Sequence, residues 1–171
     1  LSILRSGGIV ALPTETVYGL AANALCPESI EKIFQAKNRP HNNPLILHTH
    51  DFKAARGIFR HLDEKSNRRF ERLAHAFWPG PLTMVAARAP HIPLAATGGL
   101  ESVAVRIPQS EASLEILKQL PFPLVMPSAN LSTRPSPTTA EHVLKTLGGR
   151  IDAVLDEGAC QVGIESSVVR I

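Results

Sequence analysis

Apolar positions along this chain recur with two different spacings. A continuous apolar run over 8–12, closed by Pro13, predicts a buried strand. Over 28–37 the spacing changes: Ile30, Ile33 and Phe34 fall on one face behind Pro27, which predicts a helix. Pro40 and Pro44 forbid a helix beyond it, and 45–48 predicts a short strand. Asp51 is a good N-cap for a helix carrying Phe52, Ala55, Phe59 and Leu62. A second helix over about 64–77 offers Phe70, Leu73, Ala74 and Phe77 to a core and stops at Pro79-Gly80-Pro81. Strands follow over 82–87 and 103–107, and Ser110 caps a helix bearing Leu114, Leu117 and Leu120. A brief strand over 124–126 leads into a loop. Thr139 then opens a helix with Val143, Leu144 and Leu147, which Gly148-Gly149 ends. The last strands are expected over 153–155 and 167–171. This alternation predicts the α/β class: a mixed, twisted open sheet flanked by helices, in a single domain over 1–171. The chain starts at Leu1 rather than Met and stops inside an apolar run, so it reads as a fragment or a chain with trimmed ends.

Composition leaves that picture standing. A chain of 171 residues fits one domain, and 44% hydrophobic with 19% charged residues is an ordinary globular balance. No apolar run approaches the ~20 residues of a membrane span, and no signal peptide is visible. Cys26 and Cys160 match no zinc or redox spacing, so a cytoplasmic location is the simpler expectation. The net charge of +3 is uneven. Residues 1–80 hold 11 Lys/Arg against 7 Asp/Glu, and the remainder hold 7 against 8. The N-terminal half therefore suits anionic ligands.

Phosphate-loop, dinucleotide and nucleophile-elbow motifs are missing, and the histidines form no HExxH. His48 and His50 would share a strand face without a third ligand, so no protein metal site is expected. Five polar clusters remain, each just past a strand, where open α/β sheets bind ligands. Residues 13–20 (PTETVYGL) gather two hydroxyls, a carboxylate and a phenol; a capped turn explains them equally well. Residues 37–44 (KNRPHNNP) set Lys37 and Arg39 at a helix end, where they can take a polyphosphate or simply complement the helix dipole. Ser102, Ala104 and Arg106 share one strand face. Arg106 there needs an anionic partner, either a ligand carboxylate or an internal Asp or Glu. Residues 127–130 (PSAN) and 134–138 (RPSPT) suit close approach to phosphate or ribose, or a plain turn; 163–169 (GIESSVV) suit a ligand, or an edge strand with hydroxyls in solvent.

In order and spacing, these stretches resemble the YrdC-domain family of L-threonylcarbamoyladenylate synthases. The matching segments are 13–20, 37–46, 103–108, 127–130 and 165–169, and the similarity covers about 5–171. The resemblance implies a twisted open sheet with a concave basic face. It also implies a reaction joining L-threonine, bicarbonate or CO2 and ATP into threonylcarbamoyl-AMP and pyrophosphate. Partner proteins would pass the group to tRNA. It further implies that Thr16, His48 and Ser166 or Ser167 lie near threonine and that Arg106 holds its carboxylate. Lys37, Arg39 and Asn43 would contact the phosphates, with Lys37 and Arg39 stabilising the charge that builds there. Ser102, Ser128, Asn130 and Ser136 would line the nucleotide side. Mg2+ would ride on the ATP phosphates. Thr133 stands where the family often has glycine, so the loop is expected to differ there, and Met126 replaces a small or hydroxyl residue. A further nucleotide-binding arginine is implied beyond Ile171. Two other functions fit parts of the pattern. One is the carbamoyl-adenylating domain of hydrogenase maturation enzymes; the other is a non-catalytic module binding tRNA or double-stranded RNA through Arg56, Arg60, Arg68, Arg69 and Arg72.

Overall fold

Strand alternation decides which side of this molecule is filled and which stays open. The computed structural model describes all 171 residues. Its strands are β1 (Val10–Leu12), β2 (Gly19–Asn23), β3 (Ile46–His48), β4 (Leu82–Ala87), β5 (Ser102–Arg106), β6 (Leu124–Val125), β7 (Ala153–Val154) and β8 (Ser167–Arg170). They form one mixed sheet in the order β7-β1-β2-β6-β3-β5-β4-β8. The helices are α1 (Ser2–Arg5), α2 (Pro27–Lys37), α3 (Phe52–Ile58), α4 (Glu64–Phe77), α5 (Glu111–Lys118) and α6 (Ala140–Leu147), with a 3-10 turn at Leu94–Thr97.

On one face Leu20, Leu47, Met84, Val103 and Val105 join a large core with Ile33 of α2, Ile58 of α3, Phe70 of α4 and Val143 of α6. The alternate residues point to the other face. At the β1-β2 side that second face is covered by a smaller cluster, in which Val10, Leu12 and Ala21 meet Leu4 of α1 and Leu117 of α5. The β3-β5 side is left uncovered by helices. Ile46 pairs in parallel register with Ala104, and His48 with Arg106, so both pairs present their side chains toward the gap.

The expected α/β sheet with flanking helices is what forms, and the differences are local. β2 lies where only a loop was expected. Its GLAAN sequence has no β-branched residue, but pairing with β1 and β6 on both sides outweighs that weak propensity. The helix begun at Asp51 ends at Ile58. Phe59 turns extended and bridges to Arg88, so Phe59 and Leu62 are buried from the following segment rather than from the helix. Leu120 also falls outside its helix, because the residue before Pro121 is pushed out of the helical region. Phe77 and Leu144, expected inside, are exposed. α1 was not anticipated; four residues without a side-chain cap leave no periodic signal.

Candidate functional site

The gap beside β3 and β5 is a cavity of about 190 Å3. Segments distant in the chain meet there: Thr14 and Thr16 from the loop after β1, Arg39 after α2, His48 on β3, Arg106 on β5, Ser128 after β6, and Glu165 and Ser166 before β8. Six of the expected residues, Thr16, Arg39, His48, Arg106, Ser128 and Ser166, therefore share one hollow.

One end of it is built around Arg106, which is only 4% exposed. Its Nη2 donates to Glu15 Oε1 at 2.6 Å, its Nη1 to Thr16 Oγ1 at 2.9 Å and its Nε to the Gly80 carbonyl at 3.1 Å. The buried arginine thus has an internal carboxylate as its partner. Three of its five N–H groups are taken and two stay available. The Thr14 hydroxyl donates to the Val17 carbonyl at 2.7 Å, so the Thr16 hydroxyl must donate to Thr14 across their 2.8 Å contact. Thr16 then accepts from Arg106 and keeps one lone pair. His48 is buried, and its Nδ1 donates to the Ile46 carbonyl at 3.2 Å. That bond fixes the neutral tautomer and leaves Nε2 as an acceptor. Burial first, and the Arg106 guanidinium second, hold His48 down at about 3.

At the other end Arg39 folds over its own loop. Its Nε donates to the Asn43 carbonyl at 3.3 Å and its Nη2 to the Pro44 carbonyl at 2.9 Å. Lys37 is placed differently from the expectation that it faces phosphates. It is 1% exposed, and its ammonium donates to the Ser128 and Asn130 carbonyls, beneath the turn rather than within the cavity lining. Burial, then the neighbouring Arg39 charge, lower it to about 7. The spacing of Ile30, Ile33 and Phe34 already puts position 37 on the buried stripe, a signal the sequence reading passed over. Asn38 beyond it adopts a left-handed φ of 50° and ends the helix.

The remaining expected residues lie around the hollow. Asn43 is exposed and contributes its carbonyl to Arg39. Ser102 shares the open face of β5 but sits two residues before Ala104, outside the lining. Asn130 is buried; its Nδ2 donates to the Leu131 and Arg134 carbonyls, and its Oδ1 has no partner. Ser136 hydrogen-bonds Glu165 and borders a second hollow of about 600 Å3 with Arg134 and Lys145. Of the serine pair left open, Ser166 lines the cavity and accepts or donates a 2.7 Å bond with Thr83. Ser167 is exposed and starts β8. Thr14 and Glu165 line the cavity without having been singled out. Both stood inside quoted motifs, but neither residue type distinguishes a ligand contact from a turn.

A strap over 156–166 closes this side. Cys160 N donates to the Thr138 carbonyl at 2.8 Å, Val162 N to the Glu15 carbonyl at 2.8 Å and Gly163 N to the Thr16 carbonyl at 3.0 Å. Contrary to the expectation that threonine would resist a positive φ, Thr133 in the loop after Asn130 adopts a φ of 72°, the left-handed conformation that glycine takes without cost. Met126 lines the cavity and packs against Gly19, where an added Cβ would come within 3.1 Å of its Cε. No three His, Cys, Asp or Glu side chains gather to hold a metal ion, and no helix is long and apolar enough to cross a membrane.

Comparison with known proteins gives the chain its relatives. The chain is 44% identical over 166 residues to threonylcarbamoyl-AMP synthase of Pyrococcus abyssi, spanning 97% of this chain and 48% of that protein. It is 42% identical over 169 residues to threonylcarbamoyl-AMP synthase of Bacillus subtilis, spanning 98% of this chain and 48% of that one. The chain thus spans about half the length of these relatives. The crystal structure of P. abyssi Sua5 complexed with L-threonine superimposes with a TM-score of 0.94 at 43% identity, over 99% of this chain and 49% of that one. Residues 2–171 match the Sua5_yciO_yrdC family model, described as telomere recombination. With the family model matching residues 2–171, the chain belongs to the Sua5–YciO–YrdC family.

Proposed function

We propose that this domain makes threonylcarbamoyl-AMP and pyrophosphate from L-threonine, bicarbonate or CO2 and ATP, as a nucleotidyltransferase serving tRNA modification in the cytoplasm. The observation that carries the reading is the polarity of one cavity. A half-satisfied guanidinium, a threonine hydroxyl and a neutral histidine stand at one end, and a second arginine stands at the other. The first group suits a small zwitterion and the second a polyphosphate. The named relatives and the threonine complex of P. abyssi Sua5 support the same assignment.

In this reading threonine lays its carboxylate on the two unused N–H groups of Arg106, with Thr16, His48 and Ser166 around its remaining polar atoms. The amine adds to CO2 and loses a proton, giving a carbamate. A carbamate oxygen then attacks the α-phosphorus, and the bond to pyrophosphate breaks. Arg39 neutralises charge on the phosphates. Lys37 acts from beneath, holding the Ser128–Asn130 turn that the nucleotide would cross on its way toward Ser136. Catalysis is then positioning plus charge compensation, without a covalent intermediate. Glu165 is the one carboxylate in the lining, so Mg2+ would be held mainly by the phosphates and water, supplying charge neutralisation there.

The test is pyrophosphate release dependent on both threonine and bicarbonate. Arg39→Ala should raise the ATP KM and lower kcat/KM by ~100-fold while leaving the fold intact. Unchanged rates would refute its role. Turnover with carbamoyl phosphate in place of threonine and bicarbonate would instead favour a carbamoyl-adenylating domain.

A further inference from the structure

Glu15 does not line the cavity, yet the cavity's deepest cation is set against it. Both side chains of the Glu15–Arg106 pair are 5% exposed. The two carboxylate oxygens divide their work: Oε1 accepts from Arg106, and Oε2 accepts from the Gln109 backbone N–H at 2.9 Å. Its own backbone carbonyl accepts from Val162 of the strap. Glu15 therefore ties together the loop after β1, the end of β5 and the strap, with Arg106 at the centre.

We infer that Glu15 is a positioning residue, which fixes the Arg106 guanidinium in its ligand-ready orientation before the amino-acid carboxylate arrives. The inference rests on the threonine reading above. An arginine carries ~2 kcal/mol of rotamer entropy, and a flexible one would lose it on binding. Here Glu15 and Thr16 of the loop after β1, with Gly80 of the turn after α4, hold the plane of the fork. The ordering cost is met on folding. Glu15 also sets the sign of the site. A lone buried guanidinium is costly and would draw in any anion. Paired with Glu15 it is neutral overall, so a ligand is selected by the direction of two N–H groups rather than by net charge. Discrimination then favours a planar carboxylate over inorganic anions.

The experiment compares wild type, Glu15→Gln and Glu15→Asp. Gln keeps the size but lacks the charge and can accept only one of the two bonds. Asp keeps the charge on an arm one methylene shorter. Glu15→Gln should raise the threonine KM by about tenfold with the ATP KM within about twofold, and Glu15→Asp should recover part of that loss. A purely structural role would lower the melting temperature and move both KM values together, or neither. Because a variant can fail to fold, the wild-type protein is also labelled with 15N and its Arg106 side-chain signals are followed without ligand. A slowly rotating, exchange-protected guanidinium that changes little on threonine addition is expected. A freely rotating one that becomes ordered only with threonine overturns the inference. Wild type that shows no threonine-dependent turnover would defeat the functional reading, while the ligand-free arginine signals still decide the role of Glu15.

Discussion

His48 offers a direct way to read the electrostatics of the cavity from stability. It is buried at the end of β3, and its ordinary value of 6.5 falls to about 3 because burial and the nearby Arg106 charge oppose protonation. The unfolded chain takes up a proton near 6.5 and the folded chain does not, so the histidine contributes stability above that pH and loses it as the pH falls toward 3. Linkage with these two values gives almost no loss at pH 8, about 2 kcal/mol at pH 5 and about 4 kcal/mol at pH 3. Asp and Glu side chains titrate over the same range and must be separated out. His48→Asn keeps a donor near the Nδ1 position for the Ile46 carbonyl, removes the titrating ring and leaves the carboxylates as they were. Urea unfolding of both proteins at pH 8 and pH 5 supplies the assay. The stability advantage of wild type over His48→Asn should shrink by about 2 kcal/mol between those pH values. A difference constant to about 0.5 kcal/mol, or a folded-state His48 proton resonance titrating near its ordinary pH, would refute the argument.

Two further substitutions test how the site is supported. Lys37→Met strands the Asn130 carbonyl, leaves the Ser128 carbonyl with only the Asn130 backbone N–H, and should cost about 1–3 kcal/mol, measured by urea unfolding. Lys37 keeps its proton to about 7 when folded but to 10.5 when unfolded, so wild type should gain on Lys37→Met as the pH rises between those values, and a flat difference would contradict its burial. Thr133→Gly relieves a left-handed φ in a β-branched residue, offset by glycine's larger entropy loss. The net gain should be about 0.5–1 kcal/mol, visible as a melting temperature raised by a few degrees.

Much of this arrangement was readable in the chain. The apolar runs of β1, β4 and β5 and the stripe of α4 mark their elements because the sheet buries one or both faces and the helix buries one. The strand-end clusters also marked their neighbourhood, since Thr16, Arg39, His48, Arg106, Ser128 and Ser166 do converge. What stayed hidden depends on tertiary contact. β2 owes its conformation to two partner strands rather than to its own residues. The helical spacing places Lys37 on the buried stripe, but which carbonyls receive its ammonium, those of Ser128 and Asn130, depends on a turn 91 to 93 residues further along the chain. The choice between a ligand carboxylate and an internal acid for Arg106 turned on Glu15, 91 residues away in sequence, which no local pattern connects to it.

The strap carries a practical consequence. Positions 157–159 and 161–165 are exposed, Gly158 and Gly163 have φ values of 80° and 76°, and backbone hydrogen bonds at 160, 162 and 163 fasten the segment to its neighbours. A protease should therefore nick this wall well before it reaches the paired strands. Limited digestion thus becomes a reporter of occupancy: a bound amino acid or nucleotide that grips Ser166 would slow cutting at this one stretch and leave the rest of the peptide map unaltered.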